Sequence, residues 1–74
     1  MVDPITERAR YNFTVKVYPS GQLYIACDPL DRNLEIAGDG VFGFDLPEGT
    51  TAERATDIAS FMNENLLCMT YTLV

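Results

Sequence analysis

The chain has 74 residues, 47% of them hydrophobic and 22% charged, with five bases against eleven acids and a formal net charge of −6. This length predicts one domain, residues 1–74, that buries only about 60–65% of its unfolded surface, so a disulfide, a metal or a second subunit (a homodimer) would usefully reinforce its small core. The acidic balance argues against direct binding of DNA or RNA, because phosphate contacts need a basic patch that five bases do not readily form.

The opening residues, Met1-Val2-Asp3-Pro4, offer an acid and a proline where a secretory signal would carry a basic region and then an apolar run, which points to a cytoplasmic protein. Tyr11 to Val17 and Leu23 to Cys27 alternate strictly, so Phe13, Val15, Val17, Leu23, Ile25 and Cys27 share one face of two strands. Opposing Val17 to Leu23 requires a three-residue loop, Pro19-Ser20-Gly21, with Gly21 in the left-handed position that such loops need.

Residues 38–43 read Gly-Asp-Gly-Val-Phe-Gly, which matches the G-x-G-x-x-G spacing of a dinucleotide-binding loop. That loop must open a helix, whereas here it leads to alternating Phe42, Phe44 and Leu46, and then Pro47. A hairpin accounts for it: Gly38-Asp39-Gly40 as a three-residue loop pairs Ile36 with Phe42 and Leu34 with Phe44, with Gly40 at positive φ. No nucleotide or other cofactor is expected.

Thr50 followed by Glu53 reads as a capping box, and Ala52, Ala55, Ile58, Ala59, Met62 and Leu66 recur at helical spacing, predicting a helix that ends near Asn65. Cys68 to Val74 has the β-branched and aromatic content of a last strand. It can run antiparallel beside Tyr11–Val17 or parallel beside residues 42–46, and the former is preferred. The expected fold class is α+β, a mostly antiparallel four- to five-stranded sheet with one α-helix packed on one face, in chain order β-β-β-β-α-β.

Catalytic chemistry finds little support. Histidine is absent, and the two cysteines, Cys27 and Cys68, are far apart in sequence, so neither an imidazole base nor an ordinary zinc site is expected. Asp28, Asp31 and Glu35 surround a proline-containing turn and lack the spacing of a calcium loop. The longest apolar run, Leu66 to Met69, is far short of the roughly 20 residues of a membrane span.

What remains is charge. Residues 28–64 hold nine acids and two bases, and residues 65–74 hold no charge at all. Glu53, Asp57 and Glu64 fall within about 40° of one another on the helix, opposite its apolar face, and form an acidic stripe. Tyr18 and Tyr24 belong on the outer face of the first hairpin. These five residues are the candidate partner-binding set. A solvated helix face is the plain alternative for the stripe, and a small self-associating structural or assembly protein is the competing functional class.

The meander followed by Gly49-Thr50-Thr51-Ala52-Glu53-Arg54-Ala55, with Gly21-Gln22-Leu23-Tyr24-Ile25-Ala26 and Pro29-Leu30 before it, resembles the HicB-type antitoxin domain over residues 11–66, the segment from Asp31 to Phe44 excepted. That resemblance implies neutralisation of a small RNA-cleaving toxin; the DNA-binding extension common in the family is expected to be absent here. In size and charge the chain is also similar to small acidic phage-encoded inhibitors of the anti-CRISPR and anti-restriction type. Both comparisons imply a non-enzymatic inhibitor whose partner is a nucleic-acid-processing enzyme.

Overall fold

The computed structural model describes residues 5–73; Val74, the expected end of the last strand, lies outside them. In chain order the elements are β1 (Ile5–Ala9), β2 (Tyr11–Val17), β3 (Leu23–Pro29), a 3-10 turn (Glu35–Ala37), β4 (Phe42–Asp45), α1 (Ala52–Asn65) and β5 (Met69–Leu73). The α+β class, the antiparallel pairing and the single helix packed on a sheet are as the sequence predicts.

The first hairpin forms in the expected register, with Val17 opposite Leu23, Val15 opposite Ile25 and Phe13 opposite Cys27. Its loop closes as a type I turn, in which the Gly21 amide donates to the Tyr18 carbonyl (2.9 Å) and the Tyr18 amide to the Gln22 carbonyl (2.9 Å). Gly21 has φ 94°, a value that β-carbon sterics disfavour in any other residue.

The second hairpin does not form. Leu34 to Ala37 is not a strand but runs into the 3-10 turn, and β4 pairs directly with β3, placing Phe42 opposite Cys27 and Phe44 opposite Ile25. Positive φ falls on Gly38 (56°), not on Gly40. Gly40 is needed for another reason: its amide donates to the Ala37 carbonyl at 2.8 Å, and a β-carbon on it would lie 3.0 Å from that oxygen. The G-x-G-x-x-G stretch thus leaves a tight turn and enters a strand.

The strands form two sheets, β2-β3-β4 and β1-β5, instead of one. The last strand does not pair beside Tyr11–Val17 as expected; it runs antiparallel to β1, pairing Ala9 with Met69 and Ile5 with Leu73. The physical reason is Asn63 of α1, whose side chain covers the edge of β2 at Phe13. Asn63 accepts a hydrogen bond from the Phe13 amide (2.8 Å) and donates one to the Phe13 carbonyl (2.9 Å). With that position taken, the chain emerging after Asn65 meets the β1–β2 strand only at Ala9.

The core lies on the inner face of the larger sheet. Tyr11, Phe13, Ile25 and Cys27 meet Ala55 and Ala59 of α1, and Leu34 and Leu46 close the ends. Alanine at the helix contact lets the backbones approach closely. Ala52 and Leu66, expected on this face, are exposed because they stand at the two ends of α1, beyond the sheet. The helix cap also shifts by one residue: Thr51 accepts from the Arg54 amide (3.1 Å), while Thr50 donates to the Pro47 carbonyl (2.7 Å). Glu53 therefore sits in the first turn, where a carboxylate favours the helix dipole, without closing a capping box.

The segment 30–37 docks onto β1 through Glu7, which pairs with Arg32 (2.6 Å) and accepts from the Glu35 amide (2.8 Å). The Arg32 hydrogen bond, then the Glu35 amide, hold the Glu7 carboxyl below its ordinary range. A depressed carboxyl pKa contributes stability in full above the unfolded value of about 4.3 and loses it as pH falls through the folded value. Titrating Glu7 with acid is therefore expected to free the Glu35 amide, read as a lower protection factor at that residue once exchange is normalised to the intrinsic rate at each pH. A Glu35 amide indifferent to the titration of Glu7 would contradict the docking.

Candidate functional site

The five candidate residues occupy two separate surfaces. Glu53, Asp57 and Glu64 are exposed on α1, on the side away from the buried Ala55 and Ala59. The ion pairs among the described residues join Arg10 to Asp31 (2.8 Å), Lys16 to Asp28 (3.2 Å) and Arg32 to Glu7 (2.6 Å). They consume three bases at the sheet and the 30–37 segment, and none involves the helix stripe. The turn acids Asp28 and Asp31 therefore serve the fold, whereas the stripe carboxylates have no ion-pair partner among the described residues.

Beside the stripe stands Phe61, 64% exposed, one turn beyond Asp57. Arg54, Asp57, Ile58 and Phe61 line a shallow groove of about 370 Å³ along this flank of the helix. Sequence reasoning missed Phe61 because it lies about 60° from the stripe's centre and about 110° from the middle of the apolar face at 100° per residue, belonging to neither. That intermediate angle was the available signal.

Tyr18 and Tyr24 lie on the opposite, outer face of the sheet, as strand parity predicts. Their rings stack with centroids 4.1 Å apart and planes at 18°. The Tyr18 hydroxyl donates to Asp45 (2.6 Å), and this bond to the carboxylate, with partial desolvation, raises the phenol above its usual range. Gly43 leaves room for the Tyr24 ring, whose Cδ2 would lie 3.4 Å from a β-carbon there. Lys16, Ala26, Val41 and Asp45 complete a groove of about 490 Å³. The tyrosines are thus tied to one another and to β4, and they do not meet the helix stripe.

Burial pushes the Cys27 thiol up, with a smaller contribution from Asp28, so thiolate is scarce there at neutral pH. Cys68 is free and exposed. No three His, Cys, Asp or Glu side chains converge among the described residues, and no described helix is long and apolar enough to cross a membrane. The geometry offers surfaces for docking, with carboxylates and an aromatic ring as its chemistry. No protein-family model matches the chain, and neither the curated proteins nor the solved structures provide a match.

Proposed function

We propose that this chain is a non-enzymatic, cytoplasmic protein-binding module that presents α1 to a basic site on a nucleic-acid-processing enzyme and so inhibits it. The observation carrying this reading is the helix surface on which Glu53, Asp57 and Glu64 stand without ion-pair partners among the described residues, next to the exposed ring of Phe61. Carboxylates spaced along a rigid rod can compete with a phosphate backbone for Lys and Arg, and an aromatic ring at their flank can cover the aliphatic stems of those side chains. The toxin-neutralising role implied by the HicB-type resemblance is one form of this activity, and the anti-CRISPR or anti-restriction role is another.

The test uses wild type and the triple variant Glu53→Gln/Asp57→Asn/Glu64→Gln as baits against a bacterial lysate, followed by affinity measurements on any captured nucleic-acid-binding enzyme. The substituted side chains are exposed, so stability should change by about 0.5 kcal/mol or less per site. Affinity should fall at least tenfold, and wild-type binding should weaken as salt rises, since charges are screened beyond about 8 Å at physiological ionic strength. Equal affinities and a flat salt dependence would sink the proposal.

A further inference from the structure

An 8.3 kDa monomer normally exposes about 4600 Å², whereas this chain exposes 5513 Å², roughly 900 Å² more. Its radius of gyration is 14.2 Å, against about 11 Å for a compact chain of 74 residues. The excess goes with an elongated body, 48 × 25 × 21 Å, in which β1 and β5 form a sheet of only two strands. Two strands alone are marginal in water.

The sheet edges differ in how they are closed. On β2, Asn63 bonds the Phe13 backbone and Lys16 adds a charge further along. On β1, the Arg8 carbonyl accepts from Arg32 (2.6 Å). β4 carries the charged Asp45. The outer edge of β5 has no such device. Because Arg8 turns its carbonyl away from β5, its opposite residue Thr70 turns its own amide and carbonyl outward, and so by alternation do Cys68 and Thr72. Among the described residues no strand pairs with β5 on that side. Natural edges are guarded by charge or proline, and residues 65–74 contain neither.

We propose that this edge is closed by a second copy of the chain, β5 pairing antiparallel with the β5 of its partner across a twofold axis. Centring the axis on Thr70 uses all three outward residues, with Thr70 opposite the partner's Thr70 and Cys68 opposite the partner's Thr72. The product is a four-stranded sheet, β1-β5-β5-β1. The same register sets Leu67, 80% exposed, beside the partner's Leu73, so apolar surface at both ends of the strand is covered together. A standard interface removes about 800 Å² from each partner, close to the excess exposed here. The uncharged segment also suits self-pairing in a chain of net charge −6, since the acids stand on other elements. The dimer rests on different residues from the α1 stripe, so each proposal can fail alone.

Sedimentation velocity on the full chain from micromolar to millimolar concentration should show a species of about twice the chain mass. Thr70→Lys, which opposes two like charges at the axis, and Thr72→Pro, which removes an outward amide, should each weaken association at least tenfold while the far-ultraviolet circular dichroism stays that of wild type. Should either variant unfold, hydrogen exchange on wild type decides: the Thr70 and Thr72 amides should be protected at high concentration and exchange fast on dilution. A monomer throughout, or a dimer in which these two amides remain unprotected, would overturn the proposal.

Discussion

Leu34→Ala is expected to remove about 2–5 kcal/mol of stability, the usual cost of truncating a leucine in a closed core. A chain of 74 residues has roughly 4–11 kcal/mol in all, so this one change approaches the limit of folding. Leu34 is 2% exposed although it lies in an irregular segment. It is held there by Tyr11, whose hydroxyl donates to the Asn33 side chain (2.6 Å) and accepts from the Leu34 amide (2.8 Å). Little backbone freedom remains for the site to collapse, which puts the expected cost in the upper half of that range. At about 4–8 °C per kcal/mol for a domain of this size, the melting temperature should fall by more than 10 °C. Ile36→Ala is the control: Ile36 is 55% exposed, and its loss should change stability by about 0.5 kcal/mol or less. Equal, small effects of the two substitutions in urea titration would show that residues 30–40 lie outside the cooperative core.

The same segment shows where sequence reasoning stops. Leu34 and Ile36 alternate as a strand would, but two apolar residues spaced by one satisfy a 3-10 turn equally well, and only one of them faces inward. What decides between them is the Tyr11–Asn33–Leu34 hydrogen-bond network, built from residues more than twenty positions apart. Once that network holds Leu34 in the core, Phe42 and Phe44 are free to pair with Cys27 and Ile25. The first hairpin was legible because its information is local: a five-residue alternation, a loop length and a glycine. β1 was not, since Glu7 occupies an inward position of its alternation and is satisfied by Arg32, a distant partner. The candidate surfaces divide likewise. The helix stripe follows from 100° periodicity and the placement of Tyr18 and Tyr24 from strand parity, whereas the Tyr18–Asp45 bond depends on the β4 register and could not be read ahead of it.

Asn63→Ala is expected to destabilise the fold by about 1–3 kcal/mol, because it leaves the Phe13 amide and carbonyl without partners on a part-buried strand edge. The consequence extends beyond stability. Asn63 is what closes this stretch of β2, so its loss uncovers that edge, and open edges promote association between chains. Asn63→Asp should not rescue it: the carboxylate still accepts from the Phe13 amide but sets a negative charge against the Phe13 carbonyl. Both variants should therefore melt at lower temperature, exchange the Phe13 amide faster and scatter more light on heating than wild type. The triple variant of the acidic stripe, about 100° round the same helix from Asn63, should do none of these. An Asn63→Ala protein with unchanged melting and a still-protected Phe13 amide would mean that burial of Ala55 and Ala59 alone holds α1 on the sheet. The expected contrast instead assigns the two sides of α1 separate duties, one sealing the sheet and the other left free to present its carboxylates.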